Sequence, residues 1–222
     1  MPDTETDLIT RLRALTTSEI SDALDKHGIA GQALGISAVF GTERVVGPAF
    51  TLFYLPKGES DGTVGDFIDD VPEGHVVVID NRGRLDCTVW GNILCEVGKL
   101  RGVGGVVIDG ICRDADLAAE IGFPVFARAT AMRTGKDRVA LEAANCPVAV
   151  AGVRVEPADI VVADAGGVVF VPRVRLTEVI ATAEAIAERE DRILDQTRAG
   201  EPLSRARLEL GYHALQTPGE QA

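Results

Sequence analysis

Arg113 and Asp114 are the residues of this chain whose types and placing best suit chemistry. They follow an apolar segment, Gly105 to Asp109, and stand after a tight turn at the mouth of the next helical run. From Trp90 to Arg128 the pattern reads helix, strand, charged turn, helix, strand, with Pro124 to Ala127 as the second strand. That is a parallel α/β arrangement, in which ligands collect at the carboxyl ends of strands. An adjacent cation and anion there can hold a carboxylate substrate and a divalent metal side by side. The helix from Val89 to Leu100 begins at Trp90-Gly91-Asn92, and its free N–H groups can bind a substrate carboxylate. With Arg113 opposite, a 2-oxo acid can be clamped between the two while Asp114 holds a cation against its keto oxygen. Asp114 equally suits a plain N-cap, where a carboxylate meets the positive end of the helix dipole.

Two further carboxylates sit on apolar helix faces. Asp22 lies beside Ile20, Ala23 and Leu24, where it either points into a cavity or is simply solvated. Glu190 interrupts the stripe Leu176, Val179, Ile180, Ala183, Ile186, Ala187, Ile193, Leu194. A carboxylate on a buried stripe is costly unless it meets a partner or a ligand. His75 follows a Pro-x-Gly turn at the start of a strand, away from the expected ligand face, and reads as structural or solvated. The segment TAMRTGKDR is a polar loop with three cations, either solvated or placed to help hold an anion.

Other chemistries lack their residues. GVGGVV, Gly102 to Val107, has Val107 where a dinucleotide loop needs its third glycine, and it precedes a strand rather than following one. There is no G-x-x-x-x-G-K-[ST] and no G-x-S-x-G. None of the 3 histidines lies near a Ser or Cys motif, so no nucleophile–base pair is visible. The cysteines Cys87, Cys95, Cys112 and Cys146 form no C-x-x-C pair. They read as reduced, mostly buried residues of a cytosolic protein, not as a zinc site.

The elements that must position these residues form one domain over 1–222, with a core of about 10–200 and a polar tail from 201. A chain of this length buries roughly 70% of its unfolded surface and needs no staples. Its net charge of −12 argues against nucleic acid and against an anionic membrane surface. No stretch reaches the ~18 apolar residues of a membrane span, and the acidic start MPDTETDLIT has no signal-peptide core.

Residues 5–15 carry a helical pattern. A second helix starts at a capping box, Thr16-Thr17-Ser18-Glu19, and stops at Gly28. Residues 29–44 and 57–65 read as loops, Val45 to Leu55 as a long strand made irregular by Gly47-Pro48, and His75 to Asp80 as a buried strand. Asn81 to Asp86 reads as a polar turn. Pro147 to Val153, Asp159 to Ala163 and Val168 to Pro172 are three short strands, the last two joined as a hairpin, and Leu176 to Ala199 is one long helix. So strand-rich a tail after a βαβ core favours a layered β/β/α arrangement over a plain doubly wound sheet.

The stretch GNILCEVGKLRGVGGVVIDGICRDADLAAEIGFPVFAR resembles the core of the RraA-like family, whose members include the 4-hydroxy-4-methyl-2-oxoglutarate aldolases. TTSEISDAL, VVGPAFTL and HVVVID resemble other family segments in the right order, so the similarity spans most of residues 10–200. It implies a layered β/β/α fold with a largely parallel central sheet, a long C-terminal helix, and homotrimers or homohexamers with sites at subunit boundaries. It also implies Mg²⁺- or Mn²⁺-dependent cleavage of 4-hydroxy-2-oxo diacids to release pyruvate, together with decarboxylation of oxaloacetate. Arg113 would then bind the substrate carboxylate, Asp114 the metal, and Gly91, Asn92, Ile93 and Leu94 would complete the pocket. The family pattern is Asp-x20-Arg-Asp, and this chain has Asn92 at the first position. An amide cannot take a proton, which removes the usual acid/base group. Asp22 and Glu190 align with acidic positions of the family, Glu190 reaching in from a neighbouring subunit, and either can carry the proton instead. The same family contains regulators that bind and inhibit a ribonuclease, the alternative reading. A methyltransferase label sometimes given to such sequences finds no methyl-donor site here.

Overall fold

A computed structural model describes residues 4–40, 44–58 and 63–212; of Glu5 it describes the backbone only. Two helices, α1 (Glu5–Ala14) and α2 (Thr17–Lys26), each open on a capping box. At the second, Glu19 N donates to Thr16 Oγ1 at 3.2 Å and Thr16 N donates to Glu19 Oε2 at 2.6 Å. Strands β1 (Ser37–Phe40), β2 (Val45–Pro56), β3 (Val76–Thr88), β4 (Gly105–Cys112) and β5 (Val125–Thr130) follow, with α3 (Asn92–Leu100) and α4 (Ala115–Ile121) on the crossovers. Then come β6 (Val139–Ala144), β7 (Val148–Val150), β8 (Val153–Val155), β9 (Ile160–Asp164), β10 (Gly167–Val171), α5 (Leu176–Arg198) and α6 (Leu203–Glu209).

The main sheet runs β1-β5-β4-β3-β2-β9-β10, and β6 pairs with the end of β2. Its centre, β2-β3-β4-β5, is parallel, while its flanks are antiparallel. The sheet rolls until its edges meet. Gln32, just before β1, bridges to Val169 of β10, and Ala33 N donates to Val168 O at 3.0 Å. Alternation then sorts side chains into layers. Val76, Val78, Val107, Phe126, Val161 and Phe170 fill the inside of the roll with the β7–β8 hairpin. Val77, Ile79, Val106 and Ile108 face outward under α3 and α4, and α1, α2 and α5 cover β9 and β10. Asp80 and Asp109, side by side on β3 and β4, tie the hairpin down by accepting the amides of Ala149 (3.1 Å) and Ala151 (2.8 Å).

Several expectations need correction. Asn81 to Asp86 is not a turn between elements but an excursion within β3. Arg82 and Gly83 adopt positive φ (57° and 66°), and the ladder with β4 jumps from Asp80 to Arg84 to Thr88. Pro147 to Val153 holds the turn of a hairpin, because Ala151 (φ 51°) and Gly152 (φ 83°) reverse the chain between β7 and β8. Strands β1 and β6 have no clear period in the sequence; β6, with its Leu-Glu-Ala-Ala end, is a strand because β2 offers it a free edge. On α5, Ile193 is buried but Leu194 is 48% exposed, so the apolar stripe ends one residue short of the expected pattern. Parts of the expected 29–44 and 57–65 loops and of the tail, residues 41–43, 59–62 and 213–222, lie outside the described residues. Among the described residues no helix is long and apolar enough to cross a membrane.

Candidate functional site

The carboxyl ends of β3 and β4 deliver Thr88 to Asn92 on one side and Arg113 and Asp114 on the other. Arg113 N donates to Trp90 O at 3.0 Å, which locks the two chain segments together. Asp114 adopts a left-handed backbone (φ 58°, ψ 41°), a conformation that Asp tolerates better than most residues. That turn sends its carboxylate away from α4. No side chain caps α4; instead Asp114 Oδ2 accepts from Asn92 N, at the start of α3, at 3.3 Å. Arg113 Nε stands 3.3 Å from the same oxygen. The plain N-cap reading is therefore excluded by geometry: the carboxylate serves the first amide of the other helix.

Gly91 makes this approach possible. A Cβ there would lie 2.7 Å from Asp114 Oδ2 and 3.1 Å from Arg113 Nε. Gly91→Ala is expected to push both side chains aside and to lower kcat/KM about 10²-fold, the scale of a 1 Å misplacement at a reacting centre. Steady-state kinetics on a variant whose circular dichroism matches the wild type checks this.

Arg113 forms part of the wall of a cleft of about 360 Å³ with Trp90, Gly91, Asn92, Ile93 and Leu94. The rest of the wall includes residues that sequence reasoning passed over, Asp66 and Asp69, on a short 3-10 turn (Asp66–Asp70). Thr134 and Lys136 also line it, so one cation of the TAMRTGKDR loop does face the cleft. That loop is pinned to the end of β3: Thr88 N donates to Arg133 O at 2.9 Å, and a Cβ on Gly135 would meet Thr88 O at 2.2 Å. Only the contact with β3 marks these residues, and nothing in their local spacing does.

Behind the cleft Trp90 stacks on Phe123 (centroids 5.8 Å apart, 13° between planes) and tilts against Phe67. Its Nε1–H donates to Cys95 Sγ at 3.2 Å. Burial pushes the Cys95 thiol up to about 11 and the Cys112 thiol up to about 12. Both are therefore protonated near neutral pH and are not poised as nucleophiles.

Asp22 and Glu190 lie elsewhere. Asp22 lines a separate hollow of about 290 Å³ with Thr17, Ser21 and Gln32. Burial pushes the Glu190 carboxyl above its usual range, and the charges of Asp22, Glu19 and Asp191 add to the effect. The two expected carboxylates thus stand near one another, and neither lines the cleft of Arg113. His75 is at the opposite end of β3, its Nδ1 3.4 Å from the carbonyl of Glu73.

The described residues contain no cluster of three or more His, Cys, Asp or Glu side chains suited to a metal. One carboxylate beside a carboxamide still fits a hard cation of the Mg²⁺ type, which keeps several waters and takes one or two carboxylates plus the substrate. Asp114 would supply the carboxylate there, and Asn92, whose backbone amide meets it at 3.3 Å, carries the carboxamide.

A family model described as RraA-like, Aldolase/RraA, matches residues 17–170. Protein DlpA of Legionella pneumophila is 38% identical over 213 residues, which are 95% of this chain but only 35% of that protein, so the chain spans about a third of that relative's length. A protein of Halalkalibacterium halodurans named "Putative 4-hydroxy-4-methyl-2-oxoglutarate aldolase" is 33% identical over 83% of this chain and 85% of its own length. Among solved structures, Streptomyces coelicolor RraAS2 superposes with a TM-score of 0.78 and 28% identity, covering 86% of this chain and 97% of that one. It is described as an unusual member of the RNase ES inhibitor RraA protein family.

Proposed function

The chain belongs to the RraA-like family, and we propose that it is a divalent-metal-dependent carbon–carbon lyase. It cleaves a 4-hydroxy-2-oxo diacid to release pyruvate, decarboxylates oxaloacetate, or does both. One observation supports the reading: Arg113 Nε and the first amide of α3 both meet the Asp114 carboxylate, and Arg113 and Asn92 line one cleft. Relatives named as aldolases agree with it.

In this reading Arg113 binds the carboxylate next to the 2-oxo group through charge-assisted hydrogen bonds. The N–H groups from Gly91 to Leu94 orient the same end of the substrate, at the positive pole of α3. Asp114, with Asn92 next to it at the start of α3, would hold the cation. When bound, Mg²⁺ or Mn²⁺ supplies Lewis-acid stabilisation of the charge that develops on the 2-oxo group. The apolar wall of Trp90, Leu94 and Val97 keeps water from the reacting carbon. Asn92 orients but moves no proton, so bond cleavage that starts from a hydroxyl needs its base from another side chain.

The test is pyruvate release from oxaloacetate and from 4-hydroxy-4-methyl-2-oxoglutarate, with Mg²⁺ or Mn²⁺ and then with EDTA. Release from at least one substrate that stops with EDTA is the expected result. Silence on both, with folded protein and metal present, overturns the lyase reading. The second reading, a regulator that binds a ribonuclease without catalysis, draws on the similarity to RraAS2. Retention by the C-terminal region of a ribonuclease E in a pull-down favours it, and failure to bind removes it. We also propose assembly as a homotrimer or homohexamer, which light scattering of the purified chain distinguishes from a monomer.

A further inference from the structure

Beyond Arg113 and the first amides of α3, the cleft of about 360 Å³ is walled by hydrocarbon. We infer that this wall selects the aldol substrate. It favours a 4-hydroxy-2-oxo acid with an alkyl group on C4 over one with a second carboxylate there, so that cleavage yields pyruvate and an aliphatic aldehyde. The inference rests on the lyase reading and narrows its substrate class.

Leu94 and Val97 stand three residues apart on α3, so they share a helix face, and both line the cleft. With a rise of about 1.5 Å per residue, Val97 lies about 7.5 Å along α3 from Asn92, which gives the wall its length. Leu94, Val97 and Val64 pack on the main core cluster, and Trp90 and Ile68, also on the wall, are 2% and 6% exposed. The Leu94 side chain reaches the neighbouring turn. A Cβ on Gly65 would lie 3.3 Å from Leu94 Cδ2 and 3.6 Å from its Cδ1, so the absent side chain of Gly65 leaves room for the isobutyl group. That turn is itself held: Tyr54 donates its hydroxyl to Val64 O at 2.6 Å, and Phe67 tilts against the Trp90 ring. All these contacts lie within one chain, so a neighbouring subunit at the mouth would add to this wall without replacing it.

The charges on the lining give a second carboxylate little to bind. Arg113 stands 3.3 Å from Asp114 and, in the lyase reading, serves the carboxylate next to the 2-oxo group. Among the described residues the other charged groups of the lining are Asp66, Asp69 and Lys136, two anions against one cation. A carboxylate on C4 would leave water for a place with no net positive charge, whereas an alkyl group gains by leaving water.

Only the leaving fragment changes. The C3–C4 bond breaks, its electron pair passes to C3 of the pyruvate enolate, and the C4 oxygen becomes the carbonyl of the aldehyde. The proton lost from the 4-hydroxyl is matched by the one that C3 takes up to become a methyl group, so no further reagent enters.

The test is pyruvate release, with Mg²⁺ or Mn²⁺, from 4-hydroxy-2-oxo acids bearing methyl, ethyl or propyl on C4, from 4-hydroxy-2-oxoglutarate and from oxaloacetate. For the alkyl series kcat/KM should rise about fourfold per methylene, the worth of a buried CH₂, and the propyl compound should exceed the diacid by about tenfold or more. Leu94→Asn, which sets an amide in nearly the same volume, should cut the rise to about twofold or less per methylene. Val97→Thr, a milder change on the same face, should lower it too. A flat or falling series, a diacid preferred to the propyl compound, or a rise that both variants leave unchanged overturns the inference. Metal-dependent decarboxylation of oxaloacetate without cleavage of any hydroxy acid also overturns it and leaves the lyase reading standing. Silence on every compound, oxaloacetate included, removes the lyase reading and this inference with it.

Discussion

Asp114→Asn is expected to abolish the metal requirement together with turnover, lowering kcat for pyruvate release about 10³-fold. The magnitude follows from losing the several kcal/mol that a bound Lewis acid contributes, with about 1.36 kcal/mol for each factor of ten. The substitution is chosen because an amide oxygen can still accept the Asn92 N–H that now rests on Oδ2 at 3.3 Å. The fold should therefore survive, and unfolding midpoints of variant and wild type should agree within about 1 kcal/mol. Arg113→Ala separates a different role. Its loss removes charge-assisted bonds of about 1.5–3 kcal/mol, so KM should rise by 10-fold or more while residual turnover still responds to metal. Wild-type turnover in either variant would move the site away from this cleft.

Trp90→Ala should be the most damaging single truncation for stability, at about 3–5 kcal/mol. The ring is 2% exposed, stacked on Phe123, tilted on Phe67 and hydrogen-bonded to Cys95. The cavity left would be lined by Phe67, Phe123 and Cys95, all buried in the same core. Since a domain of this kind has about 5–15 kcal/mol in hand, the variant should unfold at a much lower urea concentration. Trp90→Phe, which keeps a ring against Phe123, should lose less than half as much. Equal midpoints for Trp90→Ala and wild type would show that the cleft wall is not part of the core.

What the amino acids disclose and what they hide divide along physical lines. The strands Val76 to Ile79 and Val106 to Ile108 are unbroken apolar runs because both of their faces are covered, and such runs are legible without partners. The capping box at Thr16 and the stripe of α5 are local signals, read within a turn or two of helix. Arg113 and Asp114 were legible as a pair because position after a strand and opposite charge are both local. The direction of Asp114 was not. It depends on a left-handed backbone and on an amide 22 residues away. Asp66 was illegible for the same reason, and the cations of the TAMRTGKDR loop were legible only as a group: the part of Asp66 and Lys136 in the cleft wall comes with Gly65 against Leu94 and Gly135 against Thr88, contacts between distant segments. Strand β6 stayed hidden because its pairing edge, and not its composition, decides its conformation. Glu190 interrupts the apolar stripe of α5, a local signal, whereas its proximity to Asp22 within the chain comes from the packing of α5 on α2.

Strand β2 has one more consequence. Its first residues, Val45 to Pro48, belong to the ladder with β9, its middle, Ala49 to Phe53, to β3, and its end, Leu52 to Pro56, to β6. The same twelve residues are thus citizens of both halves of the rolled sheet. No boundary can be drawn through the molecule that leaves each side with its own complete set of partners. Heat or denaturant then has no weaker half to take first, and loss of order should spread through β2 as one cooperative event. The cleft, built on the strand next to it, keeps its shape until the whole barrel goes.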